Sequence, residues 1–343
     1  MNRKLLKGLQ LEHFQHPSDQ TNQVALVQCV AHLKPEVQSL IANYESYLYA
    51  RQISSSLWVN GDQLPELYSL LEEACEILDM NLPLLFVEND STINAWASGR
   101  NITFVTLTSA LIEKFNRDEI LAVIGHELGH IKGHHMYYNA LAQNAQNILT
   151  VQAGQAAALE YSDFWLTSLI GTFQAESVMG AAAKLGNALF EWSRSAEFTA
   201  DRAALLVSQD LDVTINVMAK LASGLNRNFN QKSFLKQAER FREFGAASGD
   251  FYRQMVVNQD SHPLIVLRAE ELRRWASSNC FKDLTNPSQE SPETRFLCAK
   301  CSQEIVAPIS LGGQTAQCPA CGEYLVIPGF GVPPIVQRTP LRI

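Results

Sequence analysis

The run His126-Glu127-Leu128-Gly129-His130 constrains this chain more than any other stretch. Ile120, Leu121, Val123, Ile124, Leu128 and Ile131 recur around it at helical spacing, so the segment reads as one amphipathic helix. Asn116 or Asp118 can cap its start, and acidic residues in the first turn suit the helix dipole. Four residues apart, His126 and His130 share one helical face. Two imidazoles so placed can reach one tetrahedral zinc, with Glu127 beside the open coordination position as a general base. The bland alternative is a surface helix with two unrelated histidines. With 8 histidines in 343 residues, that coincidence is rare.

A zinc held by two histidines needs a third protein ligand. One set of candidates follows at once, in Gly133-His134-His135. Metzincins carry a glycine where Gly133 stands, but their third histidine would fall on Met136. Successive turns of one straight helix cannot wrap a tetrahedral ion, so His134 and His135 read as surface residues or as partners of a ligand. The other candidate is Glu197, four residues before Asp201 on one helical face flanked by Phe198, Ala200, Ala203 and Leu205. Two carboxylates beside apolar residues are costly to bury unpaired. A metal for one and the N–H of a ligand histidine for the other would remove that cost. The competing reading is a solvated helix with ordinary acidic residues.

Taken together, these segments resemble the gluzincins, and more closely the HtpX and Ste-type CAAX prenyl protease family of zinc metallopeptidases. The likeness rests on Asn94-Ala-Trp-Ala97 with the strand-like 102–107, on His126–His130, on Glu197–Asp201, and on Ser261-His-Pro263 with Arg268. It implies an α+β fold: a mainly helical zincin-like metalloprotease domain with a small β-sheet. It also implies zinc ligands His126, His130 and Glu197, Glu127 as the base, and Asp201 orienting a ligand histidine. His262 would then be a transition-state donor, supported by Arg268. Asn94 and Ala95 would form the lip of a cleft, where an extended peptide can add to an edge strand.

Membrane branches of that family carry transmembrane helices, and this chain shows no apolar run of that length. Phe164–Phe190 comes nearest, but Gln174, Glu176, Lys184 and Asn187 interrupt it. It reads as a buried or interfacial helix, which leaves peripheral membrane contact open. A net charge of -8 argues against nucleic acid as a partner. No secretory signal is legible, because Lys7, Gln10, Glu12 and His13 break the apolar stretch after the basic start. The cytoplasm is the expected compartment.

A second metal signal lies near the end of the sequence. Cys298-x-x-Cys301 and Cys318-x-x-Cys321, with sixteen residues between the pairs, have the spacing of a zinc ribbon, with two redox pairs as the alternative. A structural zinc there would hold together a unit too small for a core of its own. Charge around it is mild, so partner docking or packing within the chain leads over nucleic-acid contact.

The chain therefore divides into an N-terminal helical part (1–80), a zincin-like core (81–278), a polar linker (279–296), and a four-cysteine zinc ribbon with a tail (297–343). Helices are expected from Pro65, at 211–222, at 231–244 and from Pro263, and strands at Leu84–Val87 and Ile102–Leu107. Ser109 can cap a short helix after the second strand. The function expected is a zinc-dependent endopeptidase, with one catalytic and one structural zinc, and the family resemblance implies unfolded or damaged polypeptides as its substrates. The rival is a non-catalytic scaffold or chaperone-like binder that keeps the zinc fold; such a protein has no need of Glu127.

Overall fold

The protein is described here by a computed structural model covering residues 3–30, 35–136, 175–227, 229–248, 264–286, 293–308, 311 and 314–327. Its sheet forms from four short strands: β1 (Leu57–Val59), β2 (Leu84–Glu88), β3 (Ala95–Ser98) and β4 (Phe104–Thr108), in the order β1-β2-β4-β3. β2 and β4 run parallel, with Leu85 opposite Val105. β3 returns antiparallel along β4, placing Trp96 opposite Thr106 and making β3 an edge. Every residue of β4 is buried, as a strand covered on both faces requires. The two strands expected from apolar runs are β2 and β4. β1 falls in a stretch that reads as helical, because three residues are too few to show a period.

Helices α1 (Pro17–Val30), α2 (Pro35–Ser55) and α3 (Pro65–Leu78) precede or interrupt the sheet. α4 (Ser109–Lys114) follows β4 directly and is capped by Thr108, whose hydroxyl accepts from the Leu111 N–H; Ser109 is the first helical residue instead. α5 (Arg117–Lys132) carries the histidine pair. Asn116 caps it in a reciprocal box with Glu119, each side chain accepting from the other's backbone N–H. The Glu119 carboxylate is also held by Lys220 at 2.8 Å and Asn216 at 2.6 Å, so the start of α5 is fixed by the helix that packs over it.

That helix is α7 (Leu211–Ser223), reached from the long α6 (Ala175–Ser208); α8 (Gln231–Ser248), α9 (Ile265–Ala276) and α10 (Asn279–Thr285) follow. α5 and α6 cross at very short range because α5 offers glycine. A Cβ on Gly125 would stand 2.7 Å from the Val207 Cβ and 3.2 Å from the Ala204 Cα. One on Gly129 would stand 2.6 Å from the Ala203 Cβ and 2.9 Å from the Ala200 Cα. The two backbones are as close as small residues allow.

One apolar cluster runs from Leu6, Leu9 and Phe14 through α3 and the sheet to α5, α6 and Trp275. The N-terminal segment thus shares its core with the histidine helix. The stretch expected as a polar linker holds α10, and a strand begins inside it. Ser278, the residue just before that stretch, caps α10, and Phe281 packs its ring 5.1 Å from Trp275. The start of that stretch is thus a capped helix rather than solvated chain.

Beyond it lie two antiparallel ladders, β5 (Glu293–Leu297) with β6 (Glu304–Pro308) and β7 (Thr315–Gln317) with β8 (Tyr324–Val326). Phe164–Phe190 lies outside the described residues up to 174, and its remainder belongs to α6. Among the described residues no helix is long and apolar enough to cross a membrane.

Replacing Gly129 by alanine sets two effects against each other. Helix propensity favours alanine by about 1 kcal/mol, whereas overpacking against Ala200 and Ala203 costs about 1–3 kcal/mol. Because one contact is backbone, overpacking should prevail. Denaturant unfolding of metal-free Gly129→Ala should show lower stability; a gain would mean that the crossing has slack.

Candidate metal centre

The crossing of α5 and α6 brings three side chains to one point. His130 Nε2 lies 3.2 Å from His126 Nε2, and Glu197 places its carboxylate oxygens 3.5 Å from His126 Nε2 and 3.4 Å from His130 Nε2. Ligands about 2.0–2.1 Å from a tetrahedral zinc stand about 3.3 Å from each other. The spacing and the donor chemistry both fit that ion. Some 16% of the His126 side chain is exposed, so the point is accessible from the cleft.

Behind these groups the charges are paired. Asp201 accepts from His126 Nδ1 at 3.1 Å and is clamped by Arg268 through two hydrogen bonds of 2.8 and 2.6 Å. The same guanidinium reaches Glu197 at 2.8 Å. Arg268 therefore supports the two carboxylates directly. Its expected partner His262 lies outside the described residues, as do Ser261 and Pro263.

Burial works to raise the Glu197 carboxyl, but the Arg268 charge overrides it and holds the group well below the usual carboxylate range. Asp201 is held down in the same way. Burial works against a charged His126, yet hydrogen bonds to Asp201 and Glu197 outweigh it and push the imidazole up to about 10. Without a metal, the site draws in a proton.

His134 and His135 part company. His134 is exposed, with a backbone φ of 56°, whereas His135 is fully buried behind His130, on the side away from Glu197. Neither joins the group of three. The cleft in front measures about 230 Å³ and is lined by Asn94 and Trp96 from the sheet edge, Val123 and Glu127 from α5, and Val217 and Met218 from α7. The Asn94 carboxamide accepts from the Ala95 N–H, and its backbone carbonyl accepts from the Thr108 N–H at 3.1 Å. These bonds hold the lip in place. Asp19, which buttresses His135, and the α7 wall of the cleft had no separate signal in the sequence.

A family model described as peptidase family M48 matches residues 63–276. The chain belongs to peptidase family M48. It is 34% identical over 288 residues to a protein named plastoglobule-localized metallopeptidase 48, chloroplastic, from Arabidopsis thaliana; the match covers 82% of this chain and 77% of that relative. Relatives named protease HtpX homolog include one from Thermococcus kodakarensis, 27% identical over 69% of this chain and 84% of the relative. Another, from Streptococcus pneumoniae, is 23% identical over 69% of this chain and 83% of the relative. No solved structure matches the chain. As an HtpX-like M48 protein, the chain is a metallopeptidase.

This M48 chain also gathers its four C-terminal cysteines. Cys298 and Cys321 place their sulfurs 3.7 Å apart, and Cys301 and Cys318 theirs 3.6 Å apart. Thiolates about 2.3 Å from a tetrahedral zinc would stand about 3.8 Å apart. Backbone N–H groups of Cys301 and Lys300 lower the Cys298 thiol to about 7, towards the thiolate a metal needs.

The raised His126 value stabilises the metal-free fold below the unfolded value of about 6.5, and this contribution is lost as the pH rises through about 10. Zinc requires the neutral imidazole. Binding near pH 7.5 should release about one proton, and affinity should climb about tenfold per pH unit up to about 10. Calorimetry in buffers of different ionisation enthalpy measures that proton, and finding none would contradict the assignment of His126.

Proposed function

We propose that this metallopeptidase is a zinc-dependent endopeptidase acting on extended segments of unfolded or damaged polypeptides. His126, His130 and Glu197 are its zinc ligands. One observation carries the reading: three donor atoms at tetrahedral spacing open onto a cleft that Glu127 also lines. Bound there, zinc would supply Lewis acidity to a substrate carbonyl and to water. Glu127 takes the proton from the attacking water and delivers it to the leaving amine, general acid–base work contributing about 10²–10⁴-fold.

Asp201 keeps the His126 hydrogen on Nδ1 and so leaves Nε2 free for the metal. The zincin-like arrangement places β3 at the rim of the cleft as the edge of its sheet, where a substrate strand can add by backbone hydrogen bonds. That mode reads extended main chain and favours unfolded segments over folded ones. His262 is the proposed donor to the developing oxyanion, a role assigned by family resemblance. The four cysteines hold a structural zinc in a ribbon, and such thiolate ligation suits a reducing compartment, with the cytoplasm proposed. A binding-only scaffold is disfavoured by Glu127, a carboxylate that ligand binding does not require.

Purified protein should contain two zincs per chain, one of them removed by mild chelation; a single tightly held zinc would remove the catalytic site. Glu127→Gln should retain both metals and cleave an unfolded test protein at least about 10²-fold more slowly. Undiminished cleavage would assign the activity to another group. His262→Ala should lower kcat by about 10²–10³-fold with little change in KM; unchanged kcat would remove it from the mechanism.

A further inference from the structure

His130 turns Nε2 towards His126 and Glu197, and its other nitrogen, Nδ1, meets His135 Nδ1 at 2.9 Å. His135 Nε2 in turn lies 3.2 Å from the Asp19 carboxylate, on α1. Both His135 and Asp19 are fully buried. An imidazole that binds metal through Nε2 keeps its hydrogen on Nδ1. His130 must then donate, and His135 Nδ1 must accept. The His135 hydrogen is left on Nε2, where it points at Asp19. A single placement of hydrogens satisfies both rings and ends on a carboxylate.

The surroundings are built around this line. Asp19 Oδ2 also accepts from Thr199 Oγ1 at 2.7 Å and from Gln15 Nε2 at 3.1 Å, while Oδ1 has no partner. Among the described residues no lysine or arginine pairs with this carboxylate, and its one titratable partner is His135. Burying a carboxylate so sparsely satisfied is costly. Gly133 clears the space for the His135 ring: a Cβ there would lie 2.6 Å from its Cε1, although the Gly133 backbone is ordinary helix at φ -77°. His134 accepts a left-handed φ of 56° to fold the chain back. His126 has its own carboxylate, Asp201, in direct contact.

We propose that Asp19, acting through His135, positions the His130 ring for the metal, so that each histidine ligand is backed by a carboxylate. This rests on His130 being a zinc ligand. α1 thereby becomes part of the metal centre.

The test is zinc affinity by chelator competition on the full chain, with cobalt(II) spectra read alongside. Thiolate charge-transfer bands mark the cysteine site and separate it from the histidine site. His135→Phe keeps a ring against Trp192 but offers no acceptor, and Asp19→Ala removes the end of the line. Each should weaken the histidine site about 10–100-fold and shift its cobalt bands. The double variant should lose about as much as either alone, because the two act as one chain. His135→Asn, which restores an acceptor to His130, should recover part of the affinity. Asp19→Asn, nearly isosteric, should show an intermediate loss if Asp19→Ala fails to fold.

Overturning the proposal would take variants whose unfolding stability falls while zinc affinity and cobalt bands stay at wild-type values, or losses that simply add in the double variant. Wild-type protein lacking the histidine-site metal would overturn the proposal and the zinc reading together, whereas wild-type binding with unaffected variants overturns the relay alone.

Discussion

Everything in the candidate metal centre depends on how closely α5 and α6 approach each other. Gly125 and Gly129 alternate with the histidines along α5, one residue before each, and face Ala200, Ala203, Ala204 and Val207. A side chain at either glycine would force the helices apart. Glu197 lies about one helical turn before Ala200 and under two before Ala203, so its reach to both imidazoles is set by that separation. The sequence that supplies the proposed ligands also supplies the small residues that let Glu197 reach the histidines. Ligand identity and backbone approach are one requirement seen from two sides.

Electrostatics then decides what the gathered groups can hold. Glu197, Asp201 and Arg268 are buried in one network with the partly exposed His126, and Glu127 lies nearby. Buried ion pairs recover their desolvation cost only when geometry and hydrogen bonding are nearly complete. Arg268 achieves this for Asp201 through a bidentate contact. Glu197 shares one oxygen with Arg268 and turns the other towards His130, so it stays ionised and oriented. An arrangement that lifts His126 to about 10 has negative charge to spare, and a divalent cation can use it. The buried Glu119–Lys220 pair plays a plainer part by fixing α7 against the start of α5. The cleft wall formed by Val217 and Met218 is placed by that contact.

Much of the candidate site is legible in the sequence. His126, Glu127 and His130 announce themselves because the helical period is a local rule, and the apolar stripe that reveals it also buries α5. Glu197 and Asp201 were readable as a pair that burial would otherwise penalise. Arg268 was placed near the site, but its contact with both carboxylates comes from how α9 lies against α6. Asp19 was invisible, a single acid in a polar first turn with nothing to mark it. His135 was readable as a ligand's partner only in outline, since no helical rule extends beyond Gly133. Helix α10 within 279–296 went unread, because seven residues are too few to show a helical period and its cap, Ser278, stands just before it.

The sequence by itself determined the chemistry on offer: two imidazoles and a carboxylate base on one helix face, two acids on another, and four thiols in spaced pairs. Those follow from residue type and from periods of a few residues. Only the tertiary structure decided which groups meet. The crossing distance of α5 and α6, the edge position of β3 and the seat of Asp19 behind His135 join residues up to 180 positions apart. Their separations follow from how backbones pack, which local periodicity does not encode.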